Sequence, residues 1–258
     1  VSDAFYLPRE HNRFTPTAHT TGPWTDDAQH FGPPSALLVR ALENIPAAHD
    51  AVIARVTIEI LGPAPLRDLT LHSHIERPGR SVELLAAELH SDERAVARAS
   101  AWRIASSDTA DVAADTTAPL PAVADCPPAD WPSGWGGGFL KAMEWRTGHG
   151  DLAEPGPAAV WARQPLPLVD GEQPTGLQRL FALADCGNGA SNRLDPRTWW
   201  FINSELTVHL HRTPTGEWVG IDAATALGAH GVGTASTTLH DTDGPVGHGA
   251  QALLVRRR

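Results

Sequence analysis

The residues whose type and spacing could do chemistry begin with Asp185, inside the stretch PTGLQRLFALADCGNGASNRLDPRTWWFINSELTVHLHR from Pro174 to Arg212. Leu177, Phe181, Ala184 and Asp185 fall at i, i+4, i+7 and i+8 of a helical pattern, which places Asp185 on the face to be buried. It also falls in the last turn, before Cys186, Gly187, Asn188 and Gly189, residues that commonly stop a helix. There the negative end of the helix dipole and the apolar neighbours both disfavour a charged carboxylate. Two readings stay open: a helix-stopping Asp turned out to water, or a buried acid whose environment is compensated. The next element alternates with period two. Trp200, Ile202, Ser204, Leu206, Val208 and Leu210 lie on one face, and Asn203, Glu205, Thr207, His209 and His211 on the other. Asn203 and Ser204 are the small polar residues that interrupt this strand near its start.

Other chemistry-bearing residues fit recognised sites poorly. His72 with His74, and His209 with His211, share strand faces, but neither pair has a third ligand at motif spacing, so no metal site is expected. Gly187-Asn-Gly lacks the preceding strand and following Lys of a phosphate loop. No GxSxG elbow is present, which argues against a serine hydrolase. Trp199 and Trp200 read as packing at a strand start, and Asp241 and Asp243 around Gly244 as a hairpin turn.

The elements that must position these residues fit within 258 residues, enough for one large domain or two small ones. A hydrophobic fraction of 41% and a charged fraction of 19% are ordinary for a globular chain. The formal charge of −10 argues against a nucleic-acid partner. Lys141 is the only lysine, so an anionic ligand would be held by Arg or by backbone amides. Two cysteines without CxxC spacing suit a reducing cytoplasm, and no signal pattern or membrane-length apolar run is read.

From the top, a leader runs into a strand over Arg13 to Thr20. A helix opens at His30-Phe-Gly-Pro-Pro, where prolines are tolerated because the first amides have no intrahelical partner. Strands are expected over Val52 to Ile60, Leu69 to Ile75, Ser81 to His90 and Ala95 to Ile104. Residues 105–138, rich in Ala, Asp, Pro, Thr and Gly, read as a linker lying outside the sheets and adding little to the core. The expected division is therefore 1–104, a linker 105–138, and 139–258.

The two parts repeat. Arg55-Val-Thr-Ile-Glu-Ile matches Glu205-Leu-Thr-Val-His-Leu, Leu89-His90 matches Leu239-His240, and Val96 matches Val246, always 150 residues apart. Each half also has a helix before its long strand, so the chain reads as two copies of one α+β unit. At this offset Asn203 corresponds to Ile53 and Gln251 to Ala101, and the first helix has no Asp. A polar trio present in one copy suggests one working site and one that has become core.

A helix followed by a curved antiparallel sheet resembles the hotdog fold, and two such units a double hotdog. The pieces LFALAD ending at Asp185, FINSELTVHLHRTPTGEW from Phe201, LHDTDGPVGHGAQALLV from Leu239, and HFGPPSALLVRALE from His30 are similar to the acyl-CoA thioesterase family, the thioesterase II-like proteins. The resemblance implies hydrolysis of acyl-CoA to free fatty acid and CoA, a role in lipid metabolism, and no cofactor. It implies that Asp185, Asn203 and Gln251 hold the attacking water, with Asn203 where thioesterase II proper has Thr. Asn can still orient a water through its amide. Ser204 is a second candidate, since the strand phase would turn it toward the helix; a bulge would reconcile phase with resemblance. The resemblance also points to the Gly32 helix start as an oxyanion donor, against the alternative of a tight turn. Two rival readings are a hotdog hydratase or dehydratase, for which no Asp–His pair occurs at the characteristic spacing, and a non-catalytic acyl-CoA or lipid-binding protein. Pairing into a homo-oligomer through sheet edges is an expectation of the same resemblance.

Overall fold

The computed structural model describes residues 3–25, 27–132 and 135–258. In chain order the elements are β1 (Tyr6–Arg9), β2 (Arg13–Pro16), α1 (Gly32–Glu43), β3 (Ala51–Ile60), β4 (Leu69–Arg77), β5 (Val82–Ser91) and β6 (Arg94–Ala105). After residues 106–137 come α2 (Gly138–Ala142), β7 (Glu144–His149), β8 (Ala158–Arg163), α3 (Gly176–Ala184) and α4 (Gly187–Ala190). The chain then continues with β9 (Trp199–Asn203), β10 (Glu205–Leu210), β11 (Trp218–Leu227), β12 (Val232–Asp241) and β13 (Gly244–Arg257). Among the described residues no helix is long and apolar enough to cross a membrane.

One antiparallel sheet runs through both halves in the order β1-β2-β4-β5-β6-β3-β10-β13-β12-β11-β8-β7, with β9 also on β13. α1 packs on β4, β5 and β6, and α3 on β11 and β12, so each half is a helix held by its own curved sheet. This is the double hotdog.

The repeat is visible in the ladders. Thr57 pairs with Ser100 in one half and Thr207 with Ala250 in the other, each member displaced by 150. Leu89 pairs with Ala97 and Leu239 with Gly247, and both ladders then shift register after the Leu. Where β3 meets β10, Thr57 lies opposite its own counterpart Thr207, and their hydroxyls are 3.2 Å apart. A pseudo-twofold axis therefore passes between these two threonines.

Burial forms the core. Leu177, Leu180, Phe181, Leu183 and Ala184 of α3, and Ala36, Leu37, Leu38, Ala41 and Leu42 of α1, are all buried. Each large apolar side chain so buried contributes about 1.5–3 kcal/mol. Thr175 caps α3, its hydroxyl accepting from Gln178 N at 3.1 Å. Glu43, at the end of α1, accepts from that same hydroxyl at 2.9 Å and from Gln178 Nε2 at 2.7 Å. At the other end of the pair, Gly32 lies against the carbonyl of Ala182. The two helices therefore run antiparallel, and the start of α1 meets the end of α3.

Several expectations need correcting. The strand expected over Arg13 to Thr20 ends at Pro16 and gives way to a 3-10 turn at Ala18–Thr20. The single long strand expected from Trp200 breaks at Ser204 into β9 and β10. Residues 187–190 form a helical turn where a turn-rich connection was expected. Strands β1, β7 and β8 are additional. The linker is not peripheral throughout: Cys126 is buried, and Trp131 and Trp135 pack against the core. Residues 1 and 2 of the leader and 133 and 134 of the linker lie outside the described residues.

The helix contact gives the first prediction. A Cβ on Gly32 would stand 2.3 Å from the Ala182 carbonyl oxygen, so Gly32→Ala must push α1 off α3. The variant should lose about 1–3 kcal/mol in denaturant unfolding, the usual scale of overpacking. An unchanged midpoint would show that the two helix ends are not in close contact.

Candidate active site

Asp185 is the C-terminal cap of α3 and is 5% exposed. The break in the following strand brings Asn203 to it. Asn203 pairs with Leu253, as Ile53 pairs with Arg103 in the first half, and both ladders lose register at the next residue, Ala54 or Ser204. The bulge turns Asn203 inward, buried, and leaves Ser204 exposed with its hydroxyl directed 3.4 Å from Ala252 O. Asn203 Nδ2 donates to Asp185 Oδ1 at 2.8 Å. Of the two expected candidates, both of which line the pocket, Asn203 contacts the carboxylate.

Gln251 is 1% exposed and acts on backbone. The Asn188 N–H donates to Gln251 Oε1 at 3.0 Å, which orients the amide so that Nε2 donates to the Asp185 carbonyl at 3.1 Å. Gln251 thus ties the end of α3 to the start of α4. A Cβ on Gly187 would be 2.9 Å from Gln251 Oε1, so a glycine there permits the close approach. Asn188 Nδ2 completes the tie by donating to Phe201 O at 2.9 Å.

The contact missed in the sequence is His30, whose side chain is 10% exposed. Its Nδ1 lies 3.2 Å from Asp185 Oδ2 and accepts from Gly32 N at 3.0 Å. The ring stacks on Phe139, with centroids 4.3 Å apart. An Asp–His pair is therefore present in space, though its members lie far apart in sequence. The pairing follows from the antiparallel helices: α1 begins where α3 ends. The same geometry places Gly32, the residue expected as an oxyanion donor, between His30 and the end of α3. Its amide is committed to His30, Pro33 and Pro34 have no N–H, and the glycine serves helix contact.

Burial lowers the His30 pKa, and the nearby Asp185 charge opposes that effect. Burial and then the same carboxylate push the Cys186 thiol well up, which favours the protonated thiol over the reactive thiolate.

Asp185, His30, Cys186, Asn188, Asn203 and Ser204 border one cavity of about 440 Å³. Trp24, Trp131, Trp135 and Trp200 also line it, so Trp200, expected as packing, and two linker tryptophans form its walls. Trp24 contacts Trp135 and Trp200 at centroid distances of 5.8 and 5.7 Å. Gln251 and Gly32 stand behind the wall. An open groove beside Arg67 and Arg94 adjoins the cavity through Thr25, Ala28 and Pro63. The arrangement can orient a small nucleophile at the polar end of an apolar pocket and take up its proton.

Comparison with known families decides the relationship. Residues 123–255 match the acyl-CoA thioesterase C-terminal domain, and residues 20–104 match the acyl-CoA thioesterase N-terminal domain. The chain belongs to the acyl-CoA thioesterase family. Solved structures similar to this thioesterase-family chain include a hot dog fold protein of unknown function from Alicyclobacillus acidocaldarius. It has a TM-score of 0.76 and 17% identity, covering 98% of this chain and 97% of that one. A tesB protein from Mycobacterium avium subs paratuberculosis has a TM-score of 0.70 and 14% identity over 97% and 96% of the two chains. An acyl-CoA thioesterase II from Mycobacterium marinum has 0.65 and 14% over 98% and 95%. At these identities the structures show the shared fold. No curated protein matches the chain.

The His30 environment gives a pH prediction. A His whose folded pKa is depressed adds stability that is full above its unfolded value, about 6.5, and is lost as pH falls through the folded value. Stability against denaturant should therefore fall as pH drops from about 7 to 5, and His30→Gln should lose less over that interval. Identical pH slopes in the two proteins would contradict burial of a neutral His30.

Proposed function

We propose that this thioesterase-family chain hydrolyses acyl-CoA thioesters to free acid and CoA by direct attack of a water activated by Asp185. The observation that carries the reading is the Asp185 carboxylate, buried at the polar end of an apolar pocket with one oxygen held by Asn203. Asn203 fixes the carboxylate and orients the water. Gln251 acts at one remove, positioning Asp185 and α4 through their backbone. The tryptophan-lined cavity receives the acyl group, and the adjoining groove gives the CoA portion a way out to solvent. Burial of the pocket's apolar surface by the acyl chain supplies binding, and fixed geometry at Asp185 supplies rate.

The Asp185–His30 contact favours one second reading, hydration of a 2-enoyl thioester, in which the same pair would add water across the double bond.

A panel of saturated acyl-CoAs and one 2-enoyl-CoA, with a thiol reagent in one arm and product analysis in the other, separates the readings. Thiol release from saturated substrates is expected. Replacing Asp185 by Asn keeps shape and removes the base, and should lower turnover about a hundredfold or more. Substitutions at Ile53 and Ala101, the counterparts of Asn203 and Gln251, should change stability and leave turnover near wild type. Full activity in folded Asp185→Asn would refute the assignment of the base. Hydroxyacyl product without thiol release would favour hydration, and binding without either product would favour a carrier.

A further inference from the structure

We propose that His30 is the general acid of the reaction, giving its Nε2 proton to the departing thiolate while its Nδ1 receives the proton that Asp185 takes from water. The proposal rests on the hydrolytic reading above.

The argument begins with the two edges of the ring. A backbone N–H can only donate, so the contact from Gly32 N at 3.0 Å makes Nδ1 an acceptor and places the ring proton on Nε2. Nδ1 also faces Asp185 Oδ2 at 3.2 Å. With Asp185 ionised, two lone pairs oppose each other; once Asp185 holds a proton, the same contact becomes an O–H donating to nitrogen. The interaction thus strengthens after proton abstraction, which is what a catalytic contact requires. Among the described residues the polar contact of the Nε2 edge is the Cys186 sulfur, at 3.8 Å, and His30 and Cys186 both border the cavity. A substrate sulfur can replace so weak a contact. Stacking on Phe139 and the bond from Gly32 hold the ring in this orientation.

The step balances. Water's oxygen forms a bond to the thioester carbon as one of its protons passes to Asp185 and on to His30 Nδ1, whose single lone pair is released by the Gly32 N–H as it takes the proton and is returned to it when the ring resets. The carbon–sulfur bond breaks, its electron pair goes to sulfur, and the Nε2 proton follows it to give the free thiol. The other water proton leaves with the carboxylic acid, which ionises. Asp185 returns to carboxylate, and His30 is left as its other neutral tautomer, which exchanges protons with water to reset. An alkyl thiolate is a poor leaving group near neutral pH, so a positioned proton donor is worth about 10²–10⁴-fold.

The test uses one acyl group on two thiols of similar size, an ordinary alkyl thiol and a fluorinated, more acidic one whose anion needs no proton to depart. Wild-type kcat should be nearly the same for both. His30→Gln should lose about tenfold or more on the ordinary thioester and less than about threefold on the acidic one. Equal losses on both would reduce His30 to a structural part and overturn the proposal. Should His30→Gln not fold, the wild-type comparison still decides: a steep dependence of kcat on thiol acidity would mean that no acid assists departure. A wild-type protein that cleaves neither thioester would overturn the hydrolytic reading itself, an outcome distinct from equal losses.

Discussion

A carboxylate buried at the C-terminal end of a helix opposes both solvation and the helix dipole, and much of this site is arranged around meeting that cost. Asp185 receives one donor directly from Asn203 and has its backbone tied down by Gln251. Its second oxygen faces His30. None of these partners comes from α3. Asn203 comes from the end of β9, Gln251 from β13 and His30 from the loop before α1. The site is therefore assembled only when both halves of the chain have folded and docked, with Gly32 against Ala182 at that junction.

Duplication gave this molecule two places where such a site can stand. The ladders, bulges and pseudo-twofold contact at Thr57 and Thr207 keep the copies alike. At the counterpart place Ile53 and Ala101 replace Asn203 and Gln251. A carboxylate is present there too: Glu43 ends α1, as Asp185 ends α3, and borders a cavity with Ile53. Its oxygens are taken by Thr175 and Gln178, which fasten α1 to α3. One end of the helix pair has kept polar groups facing a pocket, while the other has spent them on fastening.

The sequence revealed what repeats and what alternates. The offset between Leu89-His90 and Leu239-His240 carried the duplication, and the helical spacing of Leu177, Phe181 and Ala184 placed Asp185 inside. The clash between apolar phase and resemblance at Asn203 and Ser204 pointed to a bulge in the strand. Contacts made only by docking were hidden. His30 lies next to a Gly-Pro-Pro helix start, where its neighbours explain it without reference to Asp185, so no local pattern singles it out. β8 is buried at nearly every position and shows no alternation. Trp131 and Trp135 sat in a stretch whose Pro, Ala and Asp content masked two large apolar anchors. At Gly32 the oxyanion and tight-turn readings both overlooked the close contact with the Ala182 carbonyl, which only the docked helices create.

The central claim is that Asp185 acts on water and does not itself attack the thioester. A single turnover in water labelled with heavy oxygen, followed by mass analysis of the product acid and of the Asp185-containing peptide, tests it most directly. Direct attack places one label in the acid and none in the peptide. Label appearing in Asp185 would mean that the carboxylate forms a covalent anhydride first, and would contradict the role of general base.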